Sequence, residues 1–195
     1  MKRINRTSVN YNNPDSCDLK WITDFDFHGN STIAEYFEEA ANRLVDSVSE
    51  NRKGNADDGL FIPIAYLYRH SAELLLKEII DSALSIGIIS KADLGKNDYN
   101  KAHNLYHLLN IAEKPIKKVW PDDPEKVFKS TSQVIIDLHE MDKNGQGFRY
   151  SHDTKKNPTA SKYPKNVSLI EFRCLINSAL ETLSGCASYF RELRK

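Results

Sequence analysis

The sequence has no membrane-crossing segment and no excess of charge of either sign. None of its uninterrupted apolar runs approaches the ~20 residues that a bilayer requires. Its 27 lysines and arginines equal its 27 aspartates and glutamates, so no global field indicates nucleic acid or membrane as a partner. The first residues are basic, but the apolar stretch of a secretory signal does not follow them. We therefore expect a cytoplasmic protein with no membrane partner.

Cysteine and the common catalytic signatures are also scarce. Cys17, Cys174 and Cys186 are far apart and form no CxxC pair, which favours free thiols over disulfides. The sequence has no glycine-rich phosphate loop and no GxSxG motif, so nothing in it indicates an NTPase or an acyl-transfer enzyme. No cofactor is expected.

What the sequence does contain is one dominant helical pattern at Leu60–Ile80, with the sequence LFIPIAYLYRHSAELLLKEII. Its apolar residues recur at the 3.6-residue period over a broad face, which predicts a helix buried on most of its surface. Pro63 falls near the start, where a missing backbone N–H costs little. We expect the rest of the chain to pack around this helix.

A polar stripe runs along the same helix. Tyr66, His70, Glu73 and Lys77 follow each other at spacings of four, three and four, so their side chains stack on one side. Arg69 lies beside the stripe and can reach Glu73 at i+4. Because buried polar groups need partners, we expect an internal salt-bridge network. The alternative is that His70 or Arg69 faces a loop and completes a site.

Four further helices are predicted from apolar periodicity, capping residues and prolines. They cover residues 31–50, 103–118, 124–141 and 168–194, and residues 1–30 form an irregular arm that includes an extended segment at 21–27. Ser31 or Thr32 is the expected N-cap of the first helix, and Ile33 and Ala40 are assigned to its core face. The helix at 103–118 is expected to bend or break at Pro115. The predicted fold is an all-α, single-domain bundle of about five helices over residues 31–195.

A long polar loop at residues 142–167 carries the first candidate site, in the sequence GFRYSHD. Loops of this length inside a domain are more often functional than idle. Arg149 can hold a phosphate through its planar fork, and His152 titrates near neutral pH and can act as general acid or base. Together they are the minimum for metal-free RNA cleavage, in which the 2′-OH attacks the adjacent phosphate. The structural alternative is that Arg149 pairs with a carboxylate such as Glu73, while His152 caps the loop.

His103 and His107 are the only histidine pair at a metal-ligand spacing. They are four residues apart at a helix start, which suits zinc, but no HExxH motif or cysteine accompanies them. Metal binding is therefore disfavoured. We expect instead that His103 caps the third helix and packs against the central one.

Three motifs in order resemble the HEPN superfamily of small prokaryotic helical proteins. They are YRHSAELLLKEII at residues 68–80, HNLYHLL at 103–109, and an Arg/His element before a long final helix, and the match covers roughly residues 32–192. The resemblance implies an α-helical bundle that is commonly dimeric. It also implies a metal-independent ribonuclease of a toxin–antitoxin or antiviral system, with an Arg-x4–6-His motif that meets its copy across the dimer. In this chain only two residues separate Arg149 from His152.

Two functions are therefore weighed. The first is a metal-independent endoribonuclease of a toxin or antiviral defence type, with RNA as substrate, a homodimeric assembly, and an antitoxin or defence-system partner. The second is a non-catalytic HEPN-like dimerisation, interaction or nucleotide-binding module, supported by the short Arg–His spacing and the balanced net charge. For the enzyme, the catalytic residues would be Arg149 and His152, with Tyr150, Arg69, His70 and Glu73 in supporting or binding roles.

Overall fold

The described part of the chain is built from five helices. A computed structural model describes residues 29–50, 55–95, 99–122, 124–152, 155–159 and 163–194. The helices are α1 (Asn30–Glu50), α2 (Phe61–Ser85), α3 (Leu105–Val119), α4 (Pro124–Met141) and α5 (Leu169–Glu192), with short turns of helix at Asn55–Asp58, Lys91–Leu94 and Tyr99–Lys101. No strand occurs within those ranges, which confirms the predicted all-α fold. The predicted arm and its extended segment fall almost wholly outside the described residues.

Helix α2 is the centre of the bundle. It packs against α1, α3 and α5 and touches α4. Every residue from Ser71 to Ile80 except Leu74 is buried, so this part of α2 is covered on nearly all sides. A helix enclosed in this way can keep charged side chains only where other protein groups satisfy them.

Helix α1 differs from the prediction in its start and in its buried face. It begins at Asn30, before the expected N-caps Ser31 and Thr32, and the Asn30 N–H donates to the Glu78 carboxylate of α2 at 2.9 Å. An anion from another helix thus takes the place of a local hydroxyl cap. The placement of Ile33 and Ala40 in the core was wrong, because both are exposed and the buried face of α1 lies beside them. The buried residues are Ser31, Ala34, Ala41, Val45 and Val48.

Helix α3 has its N-cap one residue after the predicted one and runs through its proline. Asn104 is the N-cap and accepts a hydrogen bond from the His107 N–H at 2.9 Å, so His103 lies outside the helix. Pro115 is buried inside one continuous helix that reaches Val119, so the predicted break was wrong. Its ring packs into the core near the helix end, which offsets the single backbone hydrogen bond that it removes.

The segment between α4 and α5 is held against the start of α2. Phe148 lies 6.5 Å from Phe61 of α2, and the Tyr163 ring stacks on Phe148 with a centroid distance of 5.2 Å. Helix α5 then begins as predicted, with Ser168 accepting a hydrogen bond from the Glu171 N–H at 3.3 Å. Among the described residues, no helix combines the length and apolar character that a membrane span needs.

Candidate functional site

A buried network of charges lies in the middle of α2. The Glu73 carboxylate is 3.3 Å from Arg69 Nη1 and 2.9 Å from Lys77 Nζ. Lys77 also donates to the Asn100 carbonyl at 3.1 Å. All three charged side chains are buried. The polar stripe of α2 is thus largely an internal salt-bridge network.

His103 joins this network from the segment before α3. Its Nδ1 lies 2.9 Å from Glu73 Oε1. Burial alone would raise the pKa of Glu73, but hydrogen bonds and charges from Lys77 and His103 outweigh it and bring the pKa below its usual value. Glu73 is therefore a carboxylate and accepts only, so Nδ1 of His103 carries the proton. The expected role of His103 as the α3 cap was wrong, whereas its contact with the central helix is observed.

Arg69 connects the network to the polar loop. Its Nη2 donates to the His103 carbonyl, and its Nε donates to the Asp142 carbonyl at 3.2 Å. The same Nε lies 3.5 Å from Asp142 Oδ2, which is a charge contact rather than a hydrogen bond. The guanidinium is buried and each of its three nitrogens donates to a protein acceptor, so Arg69 is not exposed to a ligand.

The loop begins with a turn clamped onto these residues. Asp142 Oδ1 accepts hydrogen bonds from the N–H groups of Gln146 and Gly147 at 2.9 and 2.8 Å. Gly145 is buried with a φ of 69°, and a Cβ there would lie 3.0 Å from His103 Cβ and 3.2 Å from Arg69 Nη1. Only glycine suits this conformation and this close approach.

Arg149 and Tyr150 project from the clamped turn into solvent. Arg149 Nε donates to the Gly145 carbonyl at 2.6 Å, and its guanidinium lies 5.8 Å from the centre of the Tyr150 ring. Tyr150 is 58% exposed. No carboxylate of the described residues forms an ion pair with Arg149, and Glu73 is occupied by other partners. The alternative pairing of Arg149 with Glu73 was wrong, and the Arg149 guanidinium faces solvent.

His152 lies on the surface, three residues beyond Arg149. Its Nδ1 is 3.0 Å from Ser151 Oγ, and its main chain pairs with Pro158. The returning segment of the loop is fixed by Thr159, which donates to the carbonyls of Ser151 and Tyr150. Within the described residues no hydrogen bond or ring contact joins His152 to Arg149. The geometry therefore places the two side chains on one loop without direct contact.

His70 does not reach the loop residues through any described contact. Its ring stacks on Tyr66 at 5.9 Å and meets the edge of Phe37 at 4.5 Å. Burial lowers its pKa, with Lys77 and Arg69 adding to the effect against the attraction of Glu73. His70 is therefore a neutral aromatic group packed at the edge of the network.

A buried histidine that the sequence did not single out lies beneath the loop. His139 of α4 stacks on Tyr106 with a centroid distance of 6.0 Å, and its Nδ1 is buried with no hydrogen-bond partner. Burial lowers the pKa of His139, against the attraction of Glu140. A buried histidine with a free ring nitrogen gives no signal in the sequence, because only tertiary packing creates it.

This histidine predicts a dependence of stability on pH. A pKa that is lower in the folded protein than the ordinary 6.5 means that the unfolded chain binds protons first as the pH falls. The contribution of His139 to stability is therefore fully present well above pH 6.5 and decreases as the pH falls through that value, with His70 contributing in the same direction. We expect urea unfolding between pH 7.5 and 5.5 to show this decrease, and His139→Phe to make it shallower. An unchanged slope in the variant would contradict the assignment.

The described residues contain no group of three or more histidines, cysteines, aspartates or glutamates that could hold a metal ion. His103 directs Nδ1 to Glu73, and His107 lies within the first turn of α3, so each belongs to a different environment.

The sequence of the polar loop is basic although the chain as a whole is neutral. Residues 142–167 contain six lysines and arginines against two aspartates, and Asp142 is buried.

Comparison of the chain with protein-family models, with curated proteins and with solved structures finds no match.

Proposed function

We propose that this chain is a HEPN-like, metal-independent endoribonuclease that binds RNA on the surface of the 142–159 loop. The observation that carries the proposal is the exposed guanidinium of Arg149, fixed from behind by Gly145 on a turn that is itself clamped to the buried network. A cation held in place before substrate arrives stabilises the developing charge on phosphate without reorganisation.

The charge and the aromatic content of the loop support RNA as the ligand. Residues 142–167 carry more lysines and arginines than aspartates, a composition that attracts a phosphate backbone. Tyr150, exposed beside Arg149, offers a face on which an unstacked base can lie. These two features favour a single-stranded segment over a regular duplex.

The reaction that these groups support is internal transfer at phosphorus. The 2′-oxygen attacks the adjacent phosphorus, the P–O5′ bond breaks, and the products are a 2′,3′-cyclic phosphate and a 5′-OH. Arg149 holds the phosphate oxygens, and His152 acts as general acid or base. The HEPN resemblance adds a homodimer, a cytoplasmic location and an antitoxin or defence-system partner to the same proposal.

An RNA cleavage assay in the presence of EDTA tests this function. Wild type is expected to cleave, whereas Arg149→Ala and His152→Ala lose about 100-fold or more in rate with unchanged thermal stability. Arg43→Ala is the matched control, because Arg43 is an exposed arginine on α1, in another part of the bundle. Absence of cleavage by folded wild type, or full activity in Arg149→Ala, would overturn the proposal.

A non-catalytic module is the second candidate. It is favoured by the lack of a described contact between Arg149 and His152, together with their short spacing in sequence. In that case wild type would bind RNA or a nucleotide, Arg149→Ala would weaken binding, and neither protein would cleave.

A further inference from the structure

We infer that His103, positioned by Glu73, is a second acid–base residue of the same site. This assignment rests on the proposed ribonuclease function and deepens it, because cleavage by internal transfer moves two protons at two different oxygens. A single histidine such as His152 can accept one proton or donate one, but it cannot do both in the same step. His103 is a half-exposed histidine with a fixed ring beside the loop.

The orientation of the His103 ring follows from its partner. Nδ1 donates to Glu73 Oε1 at 2.9 Å, and Glu73 is itself fixed by Arg69 and Lys77. With Nδ1 carrying the proton, the neutral ring has its lone pair on Nε2. The His103 side chain is 53% exposed, so Nε2 is the nitrogen available to a ligand. A carboxylate behind an imidazole in this way fixes the tautomer and stabilises the imidazolium once it forms.

Gly145 brings His103 next to the phosphate-holding residue. A Cβ added at Gly145 would lie 3.0 Å from His103 Cβ, and the Gly145 carbonyl accepts from Arg149 Nε at 2.6 Å. Gly145 is therefore a shared neighbour of His103 and Arg149. A phosphate bound to Arg149 would come within reach of His103 on this side of the loop.

The proton transfers balance when the two histidines take opposite roles. His103 Nε2 accepts the proton of the 2′-OH as the 2′-oxygen bonds to phosphorus. His152, protonated, donates to the 5′-oxygen as the P–O5′ bond breaks. His103 is then an imidazolium facing Glu73, and exchange with water restores both residues. Glu73 touches no reacting atom and is a positioning residue.

Several charged groups lie around the His103 ring. From α2 these are Glu73, Lys77, Arg69 and His70. From the loop, Asp142 accepts a hydrogen bond from Arg69, and Arg149 donates one to Gly145. Of these, only Glu73 bonds to the ring.

The His103→Asn variant separates catalysis from structure. The asparagine amide can occupy the place of Nδ1–H and donate to Glu73, but it cannot take up a proton. We expect a melting temperature and an affinity for single-stranded RNA close to those of wild type, and cleavage reduced by about 100-fold or more. The rising limb of the pH–rate profile is expected to disappear, which a merely structural role would not cause.

Two contrary outcomes of this experiment are distinguishable. If wild type cleaves and His103→Asn cleaves with the same rate and pH profile, the assignment of His103 is overturned while the ribonuclease stands. If wild type does not cleave at all, the proposed function falls and this inference with it. Nitrogen NMR of wild type tests the assignment without a variant: a neutral His103 ring protonated at Nδ1 supports it, and one protonated at Nε2 overturns it.

Discussion

Glu73→Ala is expected to lower the free energy of unfolding by about 3–5 kcal/mol, because it leaves buried cations without their anion. Arg69 and Lys77 are both buried and both contact the Glu73 carboxylate, at 3.3 and 2.9 Å. A domain of this size then melts about 6–20 °C lower. The measurement is urea or thermal unfolding followed by circular dichroism.

The chain supplies a matched control for this variant. Glu39 pairs with Arg43 at the same i,i+4 separation on α1, but the two side chains are 56% and 78% exposed. Glu39→Ala is expected to cost at most about 0.5 kcal/mol, because water and salt screen exposed pairs. Equal losses in the two variants would show that burial does not govern the strength of the α2 network.

Gly145→Ala is expected to lower the free energy of unfolding by about 2–4 kcal/mol, since it combines backbone strain with a steric clash. Its φ of 69° disfavours any side chain, and the added Cβ would lie 3.0 Å from His103 Cβ. The turn must shift away from Arg69 and His103. If Arg149 holds RNA from this turn, cleavage by the folded fraction is expected to fall as well.

Gly87→Ala isolates the backbone contribution. Gly87 has a φ of 76°, and a Cβ there meets nothing within 4 Å. This variant is expected to cost only the left-handed backbone term, about 1–2 kcal/mol. If Gly145→Ala were no more harmful than Gly87→Ala, the close packing of the loop on His103 would be refuted.

Local signals predicted most helix positions. The apolar period and the prolines placed α2 and α4, and the Ser168 cap placed α5, close to the observed Phe61–Ser85, Pro124–Met141 and Leu169–Glu192. These signals act within a few residues of the chain, so a single sequence carries them completely. The α1 cap could not be predicted in this way, because Glu78, which supplies it, is 48 residues away.

The contacts of the candidate site also divide into local ones, which the sequence predicted, and long-range ones, which it did not. The contacts of Glu73 with Arg69 and Lys77 were predictable because residues four apart on a helix are neighbours. The contact with His103 spans 30 residues, and that of Arg69 with Asp142 spans 73. Both need the arrangement of three chain segments, and that arrangement is set by packing rather than by any local pattern.

The sharing of one carboxylate among three donors constrains how this protein can change by mutation. Losing Glu73 alone leaves the buried cations Arg69 and Lys77 without their carboxylate, and selection against unfolding removes such a form. The charged residues of this network can be substituted only together, by apolar residues of similar total volume. Arg149 and His152 are exposed and are not part of the buried salt-bridge network. The loop surface can therefore acquire or lose an activity while that network is unchanged.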